Sequence, residues 1–364
     1  MPFESGSVGF RVFYVPGGLP QGCESAFADH AAPPIEALGS EPLSGWVTGR
    51  HLLDREIDAD SAFLAGYLRL TLMKAERKIP EALLRAECKM EELVHLRASG
   101  APALKRSERS EIRKEITERL LPAMPPTLTG IDVAMDPGEE LAWSTATTDK
   151  QHDALSIAFR QATGTPLIPL TPESAALRRK QVNAADLSST SFTPQCEDDA
   201  VGESLGQDFL TWLWFFSEQR GGMLRVGNSD IGVLVEGPLT FVREGEGAYE
   251  TVVRKGTPEV SAEAKTALLN GKKLRMARVT LARGEESWSA TVNADAFVFR
   301  GAKLPKGDAV DPVSRFHERM RSLADFLEAF LSFFDRFLDE RADPARWGAS
   351  QAELHRWVTE RKAL

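Results

Sequence analysis

The sequence predicts an α+β fold built on antiparallel sheets, with a pair of helices that could project from a sheet as an arm. Two observations carry this prediction. Up to residue 170 the elements run strand, helices, strand, strand, helix and strand, which is not the regular βαβ alternation of a parallel sheet. Residues 231–253 and 273–300 then alternate apolar and polar side chains, which is the period of strands with one buried face.

The strand predictions rest on β-branched and aromatic composition and on a period of two. Residues 8–15 are β-branched and aromatic, and a Pro-Gly-Gly turn ends them. Within residues 63–74, leucines alternate with Arg69 and Thr71, which predicts a half-buried strand. Further strands are predicted at residues 128–135, 140–145 and 166–170.

Two long helices are predicted on either side of a short break at residues 99–102. The first covers residues 79–96 and the second residues 104–122, and such a pair predicts an antiparallel helical hairpin. Residues 205–219 form a strongly apolar helix, FLTWLWFF at its centre, that indicates core or a subunit contact. Other helices are predicted at residues 150–163, 261–269 and 313–340.

The helix at residues 104–122 sorts its side chains by face. Its isoleucines fall on one apolar stripe, arginines lie beside that stripe, and glutamates gather on the far side. A helix of this kind is suited to presenting positive charge to a polyanion, although an ordinary surface helix is the alternative. The residues concerned are Ile112, Ile116, Leu120; Arg106, Arg109, Arg113; and Glu108, Glu111, Glu115, Glu118.

These elements predict five regions along the chain. Residues 171–200 are rich in Ser, Thr, Pro and Asp, which is typical of a connector. The regions are an N-terminal α+β region at 1–75 and 123–170, a projecting helical arm at 76–122, a connector with the apolar helix at 171–230, a C-terminal α+β region at 231–342, and an extra tail at 343–364.

The composition belongs to a globular protein with a real core, because 42% of the residues are hydrophobic and 27% are charged. The net charge of −9 argues by itself against nucleic acid. The two signs are nevertheless segregated. Residues 1–60 hold nine acidic and three basic side chains, whereas residues 251–283 hold eight basic and two acidic ones. An acidic protein with basic segments can still form a positive groove.

Metal-dependent nuclease chemistry is the enzyme alternative. No phosphate-binding glycine loop, GxSxG or HExxH motif occurs, and the six histidines lack metal-ligand spacing, so we predict no metal site and no cofactor. Asp132 and Asp136 could share a strand face, and residues 197–199 form an acidic cluster; such groups could hold Mg²⁺ against a phosphate. Turn formation at Asp136 and a solvated loop at 197–199 are the competing interpretation.

The three cysteines are far apart, so we expect reduced thiols and no disulfide framework. The sequence shows no signal peptide, and its longest apolar run is far shorter than the ~20 residues that cross a bilayer. We therefore expect a cytoplasmic protein without a membrane partner.

Several stretches, taken together and in order, resemble the RdgC family of recombination-associated DNA-binding proteins. They cover most of the chain, and the set is more specific than any one of them. The connector with the apolar helix and the tail depart from the family pattern, as does the proline-rich run 122–126, where the family has an aromatic residue near the arm tip. The matching stretches are residues 45–47, 74–93, 104–122, 130–136, 163–170, 253–281 and 288–304.

The resemblance implies a ring-shaped homodimer with a positively charged hole wide enough for double-stranded DNA. It implies DNA binding without sequence preference, no cofactor, and a restraining effect on RecA-dependent recombination, with the protein associated with the nucleoid. Members of the family have also carried an exonuclease label. Otherwise we expect no enzyme activity.

The predicted DNA-binding residues are cations that would neutralise phosphates. A second alternative is a structural or partner-binding protein that uses the aromatic residues Trp212, Trp214, Phe215 and Phe216 as an interface. The predicted DNA-binding set is Lys105, Arg106, Arg109, Arg113 and Lys114 on the arm, and Lys255, Lys272, Lys273, Arg275 and Arg278 in the β region.

Overall fold

The computed structural model describes residues 2–188, 190–195, 204–243 and 249–361. Short 3-10 turns aside, its strands are β1 Val8–Tyr14, β2 Leu43–Thr48, β3 Phe63–Leu64, β4 Tyr67–Arg77, β5 Pro126–Met135, β6 Leu141–Ser144, β7 Ile168–Pro169, β8 Met223–Val226, β9 Ser229–Val242, β10 Glu250–Val253, β11 Lys273–Arg283, β12 Glu286–Asn293 and β13 Val298–Lys303. Its helices are α1 Cys23–Ala28, α2 Ala59–Ala62, α3 Glu81–Ser99, α4 Arg106–Leu120, α5 Asp149–Thr163, α6 Pro172–Lys180, α7 Leu205–Gln219, α8 Ala262–Leu269, α9 Pro312–Arg341 and α10 Pro344–Glu360.

The strands join into one antiparallel sheet, so the predicted α+β class with antiparallel pairing is confirmed. Its main path runs β10-β9-β11-β12-β13-β1-β6-β5-β4-β2, and β3, β7 and β8 attach at the side. The first strand of the chain therefore lies in the middle of the sheet. Val8 of β1 pairs with Ala302 of β13, and Val12 pairs with Trp143 of β6. β1 thus joins the N-terminal strands to the C-terminal ones.

An aromatic core packs α7 and α9 against one face of the C-terminal strands. The ring of Phe209 on α7 lies 5.0 Å from that of Phe334 on α9, and Phe297 and Phe299 contact Phe330 at 5.2 Å. All five rings are buried. Aromatic residues of this size bury a large apolar area, and tilted contacts add to its stability. The predicted helices at 205–219 and 313–340 are confirmed, and both owe their position to this core.

A second core lies on the other face of the N-terminal strands, under α1 and α5. Phe27, Trp46 and Phe159 meet there edge to face. The prediction that β4 is half-buried is wrong, because Arg69 and Thr71 on its opposite face are also buried. Arg69 is ion-paired to Glu4 and its guanidinium lies 5.7 Å from the ring of Phe316, so the N-terminal segment and α9 cover that face.

Helices α3 and α4, called here the helical pair, pack on each other through a small core of their own. Leu84, Ile112 and Ile116 are buried there, so the predicted apolar stripe of α4 is confirmed. This cluster is separate from the two larger cores. Pro80 caps α3 rather than lying in its first turn, because its missing N–H costs nothing at that position.

The connector prediction is wrong for residues 172–180, which form α6. Its start carries a capping box, in which Thr171 and Ser174 bond each other's backbone, and Pro172 occupies the first turn. Arg179 then bonds Asp335 at 2.7 Å and Glu328 at 2.9 Å on α9. These two acids hold α6 on α9 in a way that no local pattern in residues 171–200 indicates.

Helix α10, within the predicted tail, packs into the main core. Trp347, Leu354 and Trp357 are buried against it. Glu340 at the end of α9 is also buried and accepts hydrogen bonds from Arg220 at 2.9 Å and from Ser350 at 2.7 Å. Because these contacts link α7, α9 and α10, the tail is part of the folded body.

Replacing Phe334 by Ala tests the aromatic core. We expect the F334A variant to lose about 3–5 kcal/mol of unfolding free energy, because a fully buried ring in contact with several others leaves a cavity. V313A, at an exposed position on the same helix, should change stability by less than about 0.5 kcal/mol. Urea denaturation of both variants measures this; equal small losses would contradict the assigned core.

Candidate nucleic-acid interface

The helical pair exposes positive charge because α4 turns its isoleucines toward α3. Lys105, Arg106 and Arg109 are exposed, and their side chains have no ion-pair partner among the residues that the structure describes. Their neighbours Arg113 and Lys114 are also exposed and lie close to carboxylates. Arg113 is 3.2 Å from Glu81 of α3, and Lys114 is 3.9 Å from Glu118.

These ion pairs leave the cations available to a phosphate. The side chains of Arg113 and Glu81 are both more than half exposed, at 53% and 59%. Exposed pairs of this kind are worth at most about 1 kcal/mol, so a multivalent anion can displace the carboxylate at little cost. All five predicted cations of α4 and its N-cap therefore lie on the surface, and the side chains of three of them form no ion pair in the described structure.

Two of the predicted cations in the β region hold partners inside the protein: Lys272 is buried, and the side chain of Lys273 is 14% exposed. Lys273 Nζ lies 2.6 Å from the carboxylate of Asp208, which is only 3% exposed. Lys272 is 8% exposed and donates to the hydroxyl of Thr251 at 2.6 Å. Moving Lys273 away from Asp208 would leave a buried carboxylate without its counter-charge, which is energetically costly. Both side chains are therefore engaged inside the protein, which weighs against the prediction that Lys272 and Lys273 bind DNA.

The other three predicted cations of this region lie apart from one another. Arg275 forms a 2.6 Å ion pair with Asp295, a residue that also accepts from Gln207 at 2.7 Å, so this pair ties β11 to α7. Lys255 is exposed in a turn at φ +66°, followed by a glycine. Arg278 lies on the outer face of the sheet and donates to Ser289 at 2.9 Å. The charge excess of residues 251–283 is thus not gathered on one surface.

Sequence reasoning missed three exposed cations near Arg278. Arg300 and Lys303 lie on β13, and Lys306 follows that strand. The pairing of β12 with β13 places Arg300 and Lys303 on the outer face, beside the hydroxyl residues of β12. Period-two alternation along residues 298–303 could not have indicated their direction, because Val298 is buried, Arg300 is exposed, and the register with β12 shifts between Arg300 and Lys303. Only the register shows that Arg278 shares their face.

The two carboxylates of the nuclease alternative have structural partners. Asp136 accepts a hydrogen bond from the backbone N–H of Gly138 at 3.0 Å, so its interpretation as a turn residue is confirmed. Asp132 is buried and accepts the hydroxyl of Thr71 at 2.7 Å. Burial raises the pKa of the Asp132 carboxyl. The described residues contain no group of three His, Cys, Asp or Glu that could hold a metal ion, and residues 197–199 lie outside them.

The aromatic residues of α7 cannot form the interface that the second alternative, a structural or partner-binding protein, requires. Trp212, Trp214, Phe215 and Phe216 are at most 6% exposed and pack within the main core. Trp212 also donates its indole N–H to Glu340 at 3.2 Å. That hypothesis is therefore wrong for these residues, and their interpretation as core is confirmed.

An apolar surface of a different kind occurs on α3. Leu83, Met90, Leu93 and Val94 are between 37% and 55% exposed. Their spacing places them on one side of the helix, away from the buried Leu84 that contacts α4. Monomeric proteins seldom leave several large apolar side chains together in water, so this α3 stripe is suited to contact with another protein surface.

The chain matches no protein-family model and no curated protein. Its resemblance to the RdgC family therefore stays a prediction. Across the described ranges, no helix combines the length and the apolar character that crossing a membrane requires.

Replacing Asp132 by Asn tests the electrostatics of this buried carboxyl. A raised pKa means that the folded state holds the proton more tightly than the unfolded state. The wild type therefore loses stability as the pH rises from the ordinary Asp value of 3.8 through the raised one. We expect D132N, which can still accept the Thr71 hydroxyl, to be the more stable protein at neutral pH.

Below the ordinary Asp pKa both forms of residue 132 are neutral, so this gain should disappear there. Urea denaturation at neutral and at acidic pH gives the difference. D136N, which removes a carboxylate from an exposed hydrogen bond, is the matched control for the loss of one charge. A D132N variant that is much less stable than the wild type at neutral pH would show that the fold requires the ionised carboxylate.

Proposed function

We propose that this chain binds double-stranded DNA without sequence preference, as a homodimer that closes into a ring around the duplex. The exposed cations of α4 carry this proposal. Lys105, Arg106 and Arg109 lie on the outside of the helical pair, and their side chains form no ion pair in the described structure, although the whole chain has an excess of acid. The family resemblance, which spans α4, supports the same function.

Binding would come from phosphate neutralisation and release of condensed counterions. Each phosphate contact by Lys or Arg contributes about −0.9 to the slope of log affinity against log salt. Phosphate contacts fix the position of a protein on DNA and carry no sequence information, so the complex would be non-specific. Acidic segments elsewhere, with residues 1–60 the most acidic of them, would keep DNA from binding outside the ring.

The α3 stripe supports a homodimer in which the helical pair projects as an arm. A second copy can cover Leu83, Met90, Leu93 and Val94 with the same four residues, because a two-fold interface uses one patch on both subunits. A stable interface takes about 800 Å² from each partner, which is more than four side chains on one helix supply. The proposed dimer therefore needs a second contact elsewhere, and that contact would close the ring.

A ring of this kind has a direct consequence for recombination. DNA that passes through the hole would be held by non-covalent contacts and would not be cleaved or modified. The protein would therefore need neither cofactor nor catalytic residue. A duplex covered in this way is a poorer substrate for RecA, which would account for a restraint on RecA-dependent strand exchange. The protein would then be associated with the nucleoid.

Reversing three cations of α4 tests the proposal. We expect the triple variant K105E, R106E, R109E to bind duplex DNA more weakly at every sequence. Its salt slope should be shallower by about 0.9 for each phosphate that the variant no longer neutralises. The fold should survive, because acidic side chains at the start of a helix interact favourably with its dipole. Fluorescence anisotropy over a series of salt concentrations measures both quantities.

A matched triple variant, R55E, R160E, R356E, controls for the change of six units in net charge. These arginines are exposed, belong to three other parts of the fold and have no side-chain ion pair among the described residues. The control should keep nearly the wild-type slope. Equal weakening of DNA binding in the two triple variants would show that the effect comes from net charge alone. Wild-type DNA binding by the α4 variant would remove the helical pair from the binding surface.

A further inference from the structure

The outer face of the C-terminal strands carries two rows of side chains, all polar except Leu234, that cross from strand to strand. On β11, Ala277, Val279 and Leu281 point into the aromatic core, so the residues between them point outward. The antiparallel registers then fix their neighbours. The first row is Glu236, Arg278, Thr291 and Arg300, and the second is Leu234, Thr280, Ser289 and Lys303.

The spacing of these rows is set by sheet geometry. Paired strands lie about 4.8 Å apart, and outward residues on one strand are separated by roughly 6.7 Å. Arg278 and Arg300 belong to one row and Lys303 to the other. One strand of duplex DNA carries a phosphate for about every 3.4 Å of helix axis, so cations at these separations can reach different phosphates.

The cations on this face form few ion pairs, although Lys303 and Lys306 also border a larger groove of about 980 Å³ that five carboxylates line, Glu286 and Glu318 among them. Arg278 donates to the hydroxyl of Ser289 at 2.9 Å, and the nearby Glu236 accepts from Thr280 at 3.1 Å. Arg300 is 3.4 Å from the backbone carbonyl of Thr147. Lys303 and Lys306 form no ion pair with any described residue.

The end of the same hairpin is different and provides a contrast. Arg283 there lies 3.1 Å from Glu286 and 3.4 Å from Asp325, and these two acids raise its pKa against the opposing effect of burial. Arg283 thus stabilises the fold through ion pairs within the protein. Lys303 and Lys306 have no such role in the described structure.

The segment that follows β13 lines one side of a groove on this face. Lys303 and Lys306 border a groove of about 650 Å³ whose floor includes Arg278, Ser287 and Ser289. Glu236 is the only acidic residue that lines it in the described structure. Hydroxyl donors between fixed cations are the groups that bind phosphate oxygens in protein–DNA complexes.

We infer that this outer face is a second DNA-binding surface, which holds the sugar–phosphate backbone of the duplex through Arg278, Arg300, Lys303 and Lys306. The inference rests on the proposed function and adds to it a contact surface that lies outside the helical pair. Serine and threonine hydroxyls between the cations supply hydrogen bonds to phosphate and give no means of reading bases. DNA held there would bridge from the sheet to α4.

The triple variant R300Q, K303Q, K306Q tests the inference. We expect weaker binding to duplex DNA and a salt slope shallower by about 0.9 for each phosphate that is no longer neutralised. The charge-conserving variant K303R, K306R should bind like the wild type. R55Q, R160Q, R356Q is the control with the same change in net charge. Thermal denaturation of each variant, compared with the wild type, confirms that the fold is unchanged.

The outcomes separate this inference from the proposed function. A shallower slope in the sheet variant, with the control unchanged, supports the second surface. A wild-type slope in the sheet variant, together with a shallower slope in the α4 variant, overturns the second surface and leaves the proposed function standing. A wild-type protein that does not bind duplex DNA at low salt overturns both.

Discussion

The packing of the aromatic rings of α7 and α9 on the C-terminal strands determines which surfaces the rest of the molecule can offer. Phe297 and Phe299 are buried against Phe330, whereas Arg300 and Lys303 of β13 are exposed. Phe299 and Lys303 are four residues apart and would share a face of a regular strand, but the register of β13 with β12 shifts between Arg300 and Lys303, where Gly301 has φ +59°, and this irregularity turns Lys303 to the outer face. The pairing of β13 with β1 then joins this sheet to the strands from which the helical pair emerges. The two surfaces assigned to DNA are therefore held by one continuous sheet.

Burial separates the charged side chains of this protein into two groups. Lys273 with Asp208, Arg220 with Glu340, and Arg179 with Asp335 tie helices to each other or to the sheet. Asp208 and Glu340 are buried, so breaking their pairs would leave an uncompensated buried charge, and these cations serve the fold. The exposed cations of α4 and β13 have no comparable partners in the described structure. A net charge of −9 and an affinity for DNA are compatible, because the excess of acid is spread over other segments.

The sequence was most informative where one strong local pattern decides the structure. The bounds of α7 match the predicted helix, and α9 and α4 differ from theirs by one or two residues, because apolar periodicity and capping signals coincide there. The sequence was less informative where distant residues decide. Lys272 and Lys273 resemble solvated cations until Thr251 and Asp208 are placed beside them, and α6 is held on α9 by acids more than 140 residues away. The cations of β13 needed the register of four strands, which alternation within one strand does not supply.

Encirclement of duplex DNA by a ring is the central claim, and the topology of the DNA tests it most directly. The measurement compares the dissociation of the wild-type protein from linear and from covalently closed DNA of the same sequence, after a step to high salt. A ring that has closed around DNA can slide off a linear end but must open to leave a circle. The account predicts rapid loss from linear DNA and retention on circles, with the DNA intact in the presence of Mg²⁺. Equal dissociation from both forms would contradict encirclement, and degradation that requires Mg²⁺ would favour a nuclease instead.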